Sequence, residues 1–202
     1  MAQPVPAVPR EPLQARSRAT RRRLLDATID TLISSGHART TTTEVCRRAG
    51  VSQGALFKHF PSKRELLSAT VRHLFAQLIG DFEVAFARLP DAPDRVAAGV
   101  RLLRESFAEP RLLAVLELYT AARTDTLLRA DLVPVMAEHR ENLRAAARRL
   151  FPGGARAEVV ADALIAAVQG AALGALVLAE PEAEARSFAW LEEVARREIS
   201  DV

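Results

Sequence analysis

The chain is poor in the residues on which several other classes of protein depend. Its single cysteine, Cys46, excludes an internal disulfide framework and suits a reducing cytoplasm. Aromatic residues make up only 5% of the 202 residues, whereas alanine and leucine dominate, a composition typical of an all-α protein. The N-terminus has four prolines and no apolar segment, so we expect no signal peptide.

Long uncharged apolar runs are also missing. The nearest candidate for a membrane span, residues 159–178, contains Asp162 and Gln169, and we interpret it as a buried helix. The four histidines show no metal-ligand spacing, and neither a glycine-rich phosphate loop nor a nucleophile elbow is present. The sequence therefore predicts a cytoplasmic protein that is not an enzyme and uses no metal, no cofactor and no membrane.

Positive charge is concentrated at one end of the chain. Residues 1–75 contain 13 Lys and Arg against 5 Asp and Glu, whereas the remainder contains 15 against 20. The only two lysines, Lys58 and Lys63, both lie in the basic part. A basic end on an acidic body is typical of a protein that meets a polyanion at that end, although an unevenly charged soluble protein has the same pattern.

Residues 41–60 are the most informative segment, because they read as two short helices joined by a tight turn. Thr41 and Glu44 have the spacing of a capping box, which begins a helix. Gly50 ends that helix and Ser52 caps the next one. The expected inward side chains are Val45, Cys46, Ala49, Leu56 and Phe60. This arrangement predicts a DNA-binding helix-turn-helix; two small surface helices with solvated charges are the alternative.

The outward residues of the second helix suit DNA chemistry. Gln53 can form a bidentate hydrogen bond to an adenine edge, and the methyl group of Ala55 can contact a thymine methyl. Gly54 permits close approach at the start of this helix, where Ser52 and the free amide groups favour phosphate. Lys58 and His59 suit phosphate oxygens.

A cluster of arginines precedes the motif. It begins a helix that Gly36 should end, and it adjoins the helix-turn-helix, so we expect its members to contact DNA phosphates or a minor groove. A solvated first helical turn is the alternative. The members expected to contact DNA are Arg18, Arg21 and Arg22.

Residues 36–67 resemble the DNA-binding domain of the TetR family of bacterial repressors. The resemblance rests on Thr41, Val45, residues 49–52, Gly54, Leu56, Phe60, Lys63 and residues 66–67. It implies that Thr43, Gln53 and Ala55 read bases. It also implies backbone contacts for Thr42, Phe57, Lys58, His59 and Lys63. Phe57 stands where the family usually has tyrosine, so we expect one phenolic hydrogen bond to phosphate to be missing.

The sequence predicts three parts: a disordered tail at 1–15, a three-helix DNA-binding domain at 16–62, and a helical ligand-binding and dimerisation domain at 63–202. A long helix from Ser62 to about Leu89 should link the two domains mechanically, and Pro134 should kink or interrupt a later helix. The resemblance implies a homodimer, with the alternative that the same surfaces pack within one chain. The expected interface residues are Ala163, Ala167, Gly170, Gly174, Phe188 and Leu191.

The central helices combine apolar walls with a few polar groups, as ligand pockets and ordinary helical cores both do. The resemblance implies a pocket for a small-molecule effector, and the candidate lining is Phe75, Phe82, Phe107, Leu116, Tyr119, Thr120, Arg123, Met136, His139 and Arg140. The implied function is a repressor released from a palindromic operator by that effector. A non-specific architectural DNA-binding protein and an activator are the alternatives.

Overall fold

The structure is a computed structural model that describes residues 13–89, 95–151 and 153–200. The described residues form helices and no strand, which confirms the all-α prediction. In chain order the helices are α1 (Leu13–Arg39), α2 (Thr42–Ala49), α3 (Gln53–His59), α4 (Lys63–Ala87), α5 (Arg95–Phe107), α6 (Pro110–Ala122), α7 (Thr126–Leu150), α8 (Ala155–Ala175) and α9 (Pro181–Ser200).

A small apolar core holds α1, α2 and α3 against the start of α4. Its residues come from the first half of α1, from the inward faces of α2 and α3, and from Leu66. Every inward residue expected from the motif belongs to it: Val45, Cys46, Ala49, Leu56 and Phe60. Because the spacing of these residues agrees with the helix caps, the local sequence alone specifies this unit.

A larger core occupies the body of the molecule and shares two helices with the small one. Helix α1 contributes Ile29 and Leu32, and α4 contributes Leu67 and Val71, to the body core. The same helices supply Leu24 and Leu66, among others, to the small core. The long α4 therefore joins the two units as expected, and α1 joins them as well. A domain division between residues 62 and 63 stays a prediction.

Several boundaries differ from the sequence predictions. The expected disordered tail lies outside the described residues up to residue 12, but residues 13–15 belong to α1. Gly36 breaks the helical geometry with a φ of 74°, as expected, although the assigned helix continues to Arg39. Pro134 does not interrupt α7, which runs unbroken from Thr126 to Leu150. Helix α8 ends at Ala175, before the predicted end near Ala179.

Helix α8 is not the buried helix that its composition predicted. One stripe along it, spaced by three or four residues, is exposed in the single chain. This α8 stripe consists of Val159, Ala163, Ala166, Gly170, Leu173 and Gly174. Of the most apolar stretch of 18 residues in α8, only 22% is buried. By its length and mean hydropathy alone, this helix would be able to cross a membrane. The apolar residues of the stripe are therefore not covered by any other part of the described residues.

Candidate DNA-binding interface and effector cavity

The turn between α2 and α3 has the geometry that its sequence requires. The Thr41 hydroxyl accepts a hydrogen bond from the Glu44 amide at 3.2 Å, and Ser52 accepts one from the Ala55 amide at 3.2 Å. Gly50 adopts the left-handed conformation with a φ of 64°, where a side chain would be strained. These caps fix the direction of α3 relative to α2.

The carboxylate of Glu44 does not complete the predicted capping box. It instead accepts hydrogen bonds from Arg47 at 2.7 and 2.8 Å and from Arg48 at 2.7 Å. These bonds from Arg47 and Arg48 lower the pKa of Glu44 to about 2. Arg48 also donates to the carbonyl of Asp30 at 3.0 Å and so ties α2 to α1. The two arginines are therefore part of the scaffold of the motif.

Two of the three predicted base-reading residues contact each other. The Gln53 amide nitrogen donates to the Thr43 hydroxyl at 2.8 Å, across the angle between α2 and α3. Both side chains are exposed, and the bond holds the glutamine amide in one orientation. Ala55, the third, is partly buried at the start of α3. Sequence reasoning treated Thr43 and Gln53 as separate and did not foresee the bond between them.

The predicted backbone-contacting residues surround α3. Ser52, Gly54 and Lys58 are exposed, and the ring of Phe57 is 44% exposed, which is unusual for a side chain without a polar atom. The partly buried members are Thr42, His59 and Lys63. Burial lowers the pKa of the Lys63 amine. The surface beside α3 thus combines cationic groups with one exposed aromatic ring.

The arginine cluster on α1 is exposed next to this surface. The guanidinium of Arg21 lies 5.1 Å from the centre of the Phe60 ring, so it is held close to the small core. Arg22 lies 3.8 Å from a carboxylate oxygen of Asp26, while Arg18 is exposed. The three arginines extend the positive surface of α3 along α1.

A contact between α1 and α6 lies at the junction of the two units. The backbone amide of His37 donates to a carboxylate oxygen of Glu117 at 2.8 Å. The positive φ of Gly36 favours glycine, and a side chain there would also bring its first carbon to 2.9 Å from the same oxygen, so that the Glu117 carboxylate would have to shift. No local signal in the sequence predicted this contact, because the two residues lie 80 positions apart.

The body contains an apolar cavity of about 110 Å³, walled mainly by α4, α5, α7 and α8. Three predicted pocket residues line it, namely Phe82, Phe107 and His139. Gly99, which sequence reasoning missed, also lines it, and its lack of a side chain accommodates the Phe151 ring, which a side chain there would meet at 2.8 Å. Further lining residues include Leu78, Ile79, Leu103, Ser106, Leu143, Ala147 and Leu164.

The other predicted pocket residues do not line this cavity. Four of them, Tyr119, Arg123, Met136 and Arg140, border a separate groove between α6 and α7. Phe75 stacks on the His139 ring at 3.6 Å, Leu116 is buried, and Thr120 is exposed. The predicted set is therefore divided, since helical periodicity shows which residues face inward but not which inward residues leave a space between them.

The predicted dimer residues are divided in the same way. Ala163, Gly170 and Gly174 are exposed on α8, and Ala167 is partly buried. Phe188 is only 3% exposed, because it packs in the body core and beneath the guanidinium of Arg104. Its assignment to an interface is therefore wrong. Leu191 is partly buried against the core of its own chain.

An exposed recognition helix, a capped turn and a flanking basic surface define a DNA-binding transcriptional regulator. Residues 24–70 match the family model for bacterial regulatory proteins of the TetR family. An HTH-type transcriptional regulator of Mycobacterium tuberculosis is 32% identical over 182 residues, which are 88% of this chain and 93% of the relative. BetI of Rhizobium meliloti, also an HTH-type transcriptional regulator, is 31% identical over 82% of this chain and 79% of the relative.

Solved structures agree with the sequence relatives. The multidrug binding protein EbrR complexed with imidazole is 27% identical, with a TM-score of 0.68, over 96% of this chain and 97% of that chain. EbrR complexed with ethidium aligns with a TM-score of 0.65. The chain belongs to the TetR family of bacterial transcriptional regulators and is not an enzyme.

Proposed function

We propose that the protein is a repressor that binds a palindromic operator as a homodimer and is released by a small-molecule effector. The observation that carries this proposal is the course of α4. Lys63 begins α4 beside α3, and Leu78, Ile79 and Phe82 of the same helix line the cavity. A molecule that enters the cavity therefore touches the helix whose first turn, through Leu66, shares the small core with Leu56 of the recognition helix.

The two-state mechanism follows from this connection. In the DNA-bound state the two recognition helices lie about one DNA turn apart, roughly 34 Å. An effector that prefers the other state displaces α4 and changes that spacing. The contact of Glu117 with the His37 amide supports a second route, because it joins α6 to α1. The shift cannot exceed the difference between the effector's affinities for the two states.

The α8 stripe supports the homodimer. A side chain placed at Gly170 or Gly174 would meet no atom within 4 Å among the described residues beyond the adjacent backbone of its own helix, so a second copy can approach closely. A bilayer is a poorer partner for this helix, because Asp162 of α8 accepts hydrogen bonds from Arg144 of α7 at 2.7 and 3.1 Å. We therefore assign the stripe to a second copy of the chain and the protein to the cytoplasm.

The first experiment compares DNA from upstream of the protein's own gene with random DNA of the same length, across a salt series. Binding that falls with salt and prefers one palindromic segment by about 10³-fold or more supports a sequence-specific regulator. Equal binding to both DNAs, together with equal binding to genomic fragments, favours the architectural alternative. The position of the bound segment relative to the promoter distinguishes a repressor from an activator.

A second experiment tests release. With an effector in hand, paired titrations should show that effector and operator weaken each other's binding by the same factor, because linkage is reciprocal. Unequal factors would contradict the two-state mechanism.

A further inference from the structure

The polar groups of the cavity narrow the chemistry of its ligand. Among the residues that line it in the described part of the chain, none carries a formal charge at neutral pH. Only Ser106 and His139 have polar side chains. The Ser106 hydroxyl already donates to the carbonyl of Leu102 at 2.9 Å, so its proton is engaged within α5. His139 is therefore the main polar residue of the lining whose hydrogen-bonding groups are not engaged within its own helix.

One atom of His139 lacks a partner. Its Nδ1 is buried and has no hydrogen-bond partner among the described residues. The imidazole ring is held by stacking on Phe75, with the ring centres 3.6 Å apart and the planes within 6° of parallel. A buried polar atom without a partner costs free energy, so the imidazole has hydrogen-bonding capacity that the described residues leave unused.

Burial also keeps the ring uncharged. It lowers the pKa of His139 to about 4, so the imidazole is neutral at the pH of a cytoplasm. A charged ligand would therefore lose its hydration without gaining a counter-charge from the cavity wall. The cavity of about 110 Å³ is of the same order as an engineered apolar cavity of about 150 Å³ that binds benzene.

We propose that the cavity binds a small, neutral, largely apolar molecule of about one aromatic ring whose single hydroxyl group bonds to the imidazole of His139. A hydroxyl can donate or accept, so it suits either tautomer of the imidazole. This ligand class rests on the proposed effector role of the cavity. The proposed ligand also differs from ethidium, the cation in the structure of the EbrR complex.

The test uses four probes on the full-length protein without DNA. Phenol and toluene have the same number of heavy atoms and differ in the hydroxyl, while benzoate and benzylammonium add a negative and a positive charge. In calorimetric titrations we expect phenol to bind about 3- to 10-fold more tightly than toluene, the worth of one hydrogen bond. Both charged probes should bind at least about 100-fold more weakly than phenol.

Two variants assign the hydrogen bond. His139→Phe keeps a ring to stack on Phe75 and removes the nitrogen, so toluene should bind as before and the preference for phenol should vanish. Ser106→Ala is the matched control, and the preference should survive it because the Ser106 proton is engaged elsewhere. If the preference follows Ser106, or survives His139→Phe, the assignment is overturned.

A third variant guards against a folding defect at position 139. Ala147→Leu places a larger side chain on the cavity wall and should abolish binding of both neutral probes, whereas Ala145→Leu, on the same helix but outside the lining, should not.

No binding of phenol to the unchanged protein, or binding of a charged probe as tight as that of phenol, would refute the ligand class. Operator release by phenol is scored separately: binding without release would refute the proposed effector function and leave the ligand class standing.

Discussion

The DNA-binding unit and the body of the molecule differ in how completely they bury their apolar residues. Around α2 and α3 the small core is closed, and Val45 and Leu56 are fully buried. The body, in contrast, contains an apolar cavity beside Phe82 and exposes the α8 stripe. The first unit is complete within one chain. The second leaves apolar surface uncovered among the described residues, and we propose that an effector covers it inside and a second copy of the chain covers it outside.

The strongest test of this contrast places a charge on the α8 stripe. Gly170→Glu meets open space in a single chain, so the chain should fold, but the carboxylate would be buried between two copies. We expect a monomer in sedimentation velocity and an operator affinity lower by about 10²- to 10⁴-fold, because the second half-site is no longer linked.

Ala76→Glu is the matched control for this change, since Ala76 is an exposed helical alanine on α4. It should remain dimeric. A Gly170→Glu protein that stays dimeric and keeps its operator affinity would show that the stripe is not the interface.

The pH dependence of stability tests the burial of His139. Its pKa is lowered to about 4 in the folded state from 6.5, so between these values the unfolded chain binds the proton and the folded chain does not. Stability should therefore fall as the pH decreases from 6.5 to 4, by up to about 3 kcal/mol from this group, with no further loss below. Urea unfolding of His139→Phe should show this part of the slope removed. Equal slopes for both proteins would mean that His139 titrates normally.

Gln53→Ala tests the DNA-binding unit at the exposed surface of its recognition helix. We expect a loss of about 1–3 kcal/mol in operator binding and a relaxed preference at one base pair, because the amide that reads the base edge is gone. Competition binding with operators changed at each position measures both effects. Gln77→Ala on α4 is the control. If the base preference is unchanged in Gln53→Ala, Gln53 does not read a base.

The smallest effect is expected at the contact that joins the two units. Glu117→Ala removes the acceptor of the His37 amide proton and should destabilise the end of α1 locally by about 1 kcal/mol. Hydrogen exchange at residues 37–40 should then quicken about fivefold. Glu117→Gln keeps an oxygen at that place and should preserve most of the protection. If both variants exchange alike, the contact does not hold the end of α1.

The helix-turn-helix could be predicted closely because its determinants are local. Thr41, Ser52 and Gly50 act within four residues of their own position, and the inward set follows the helical period. The capping box was only half correct, since Arg47 and Arg48 compete for the Glu44 carboxylate. Residue spacing alone does not show which of these competing partners the carboxylate will bind.

The sequence by itself determined the helical class, the two caps and turn of the recognition motif, and the basic character of its surface. Only the tertiary structure decided that Phe188 lies in the core, that Glu117 meets the His37 amide, and that His139 lines a cavity from which Tyr119 is excluded. The physical reason is how far apart along the chain the interacting residues lie. Caps and helical period depend on residues three or four apart, whereas a cavity or a contact between helices depends on how whole helices pack.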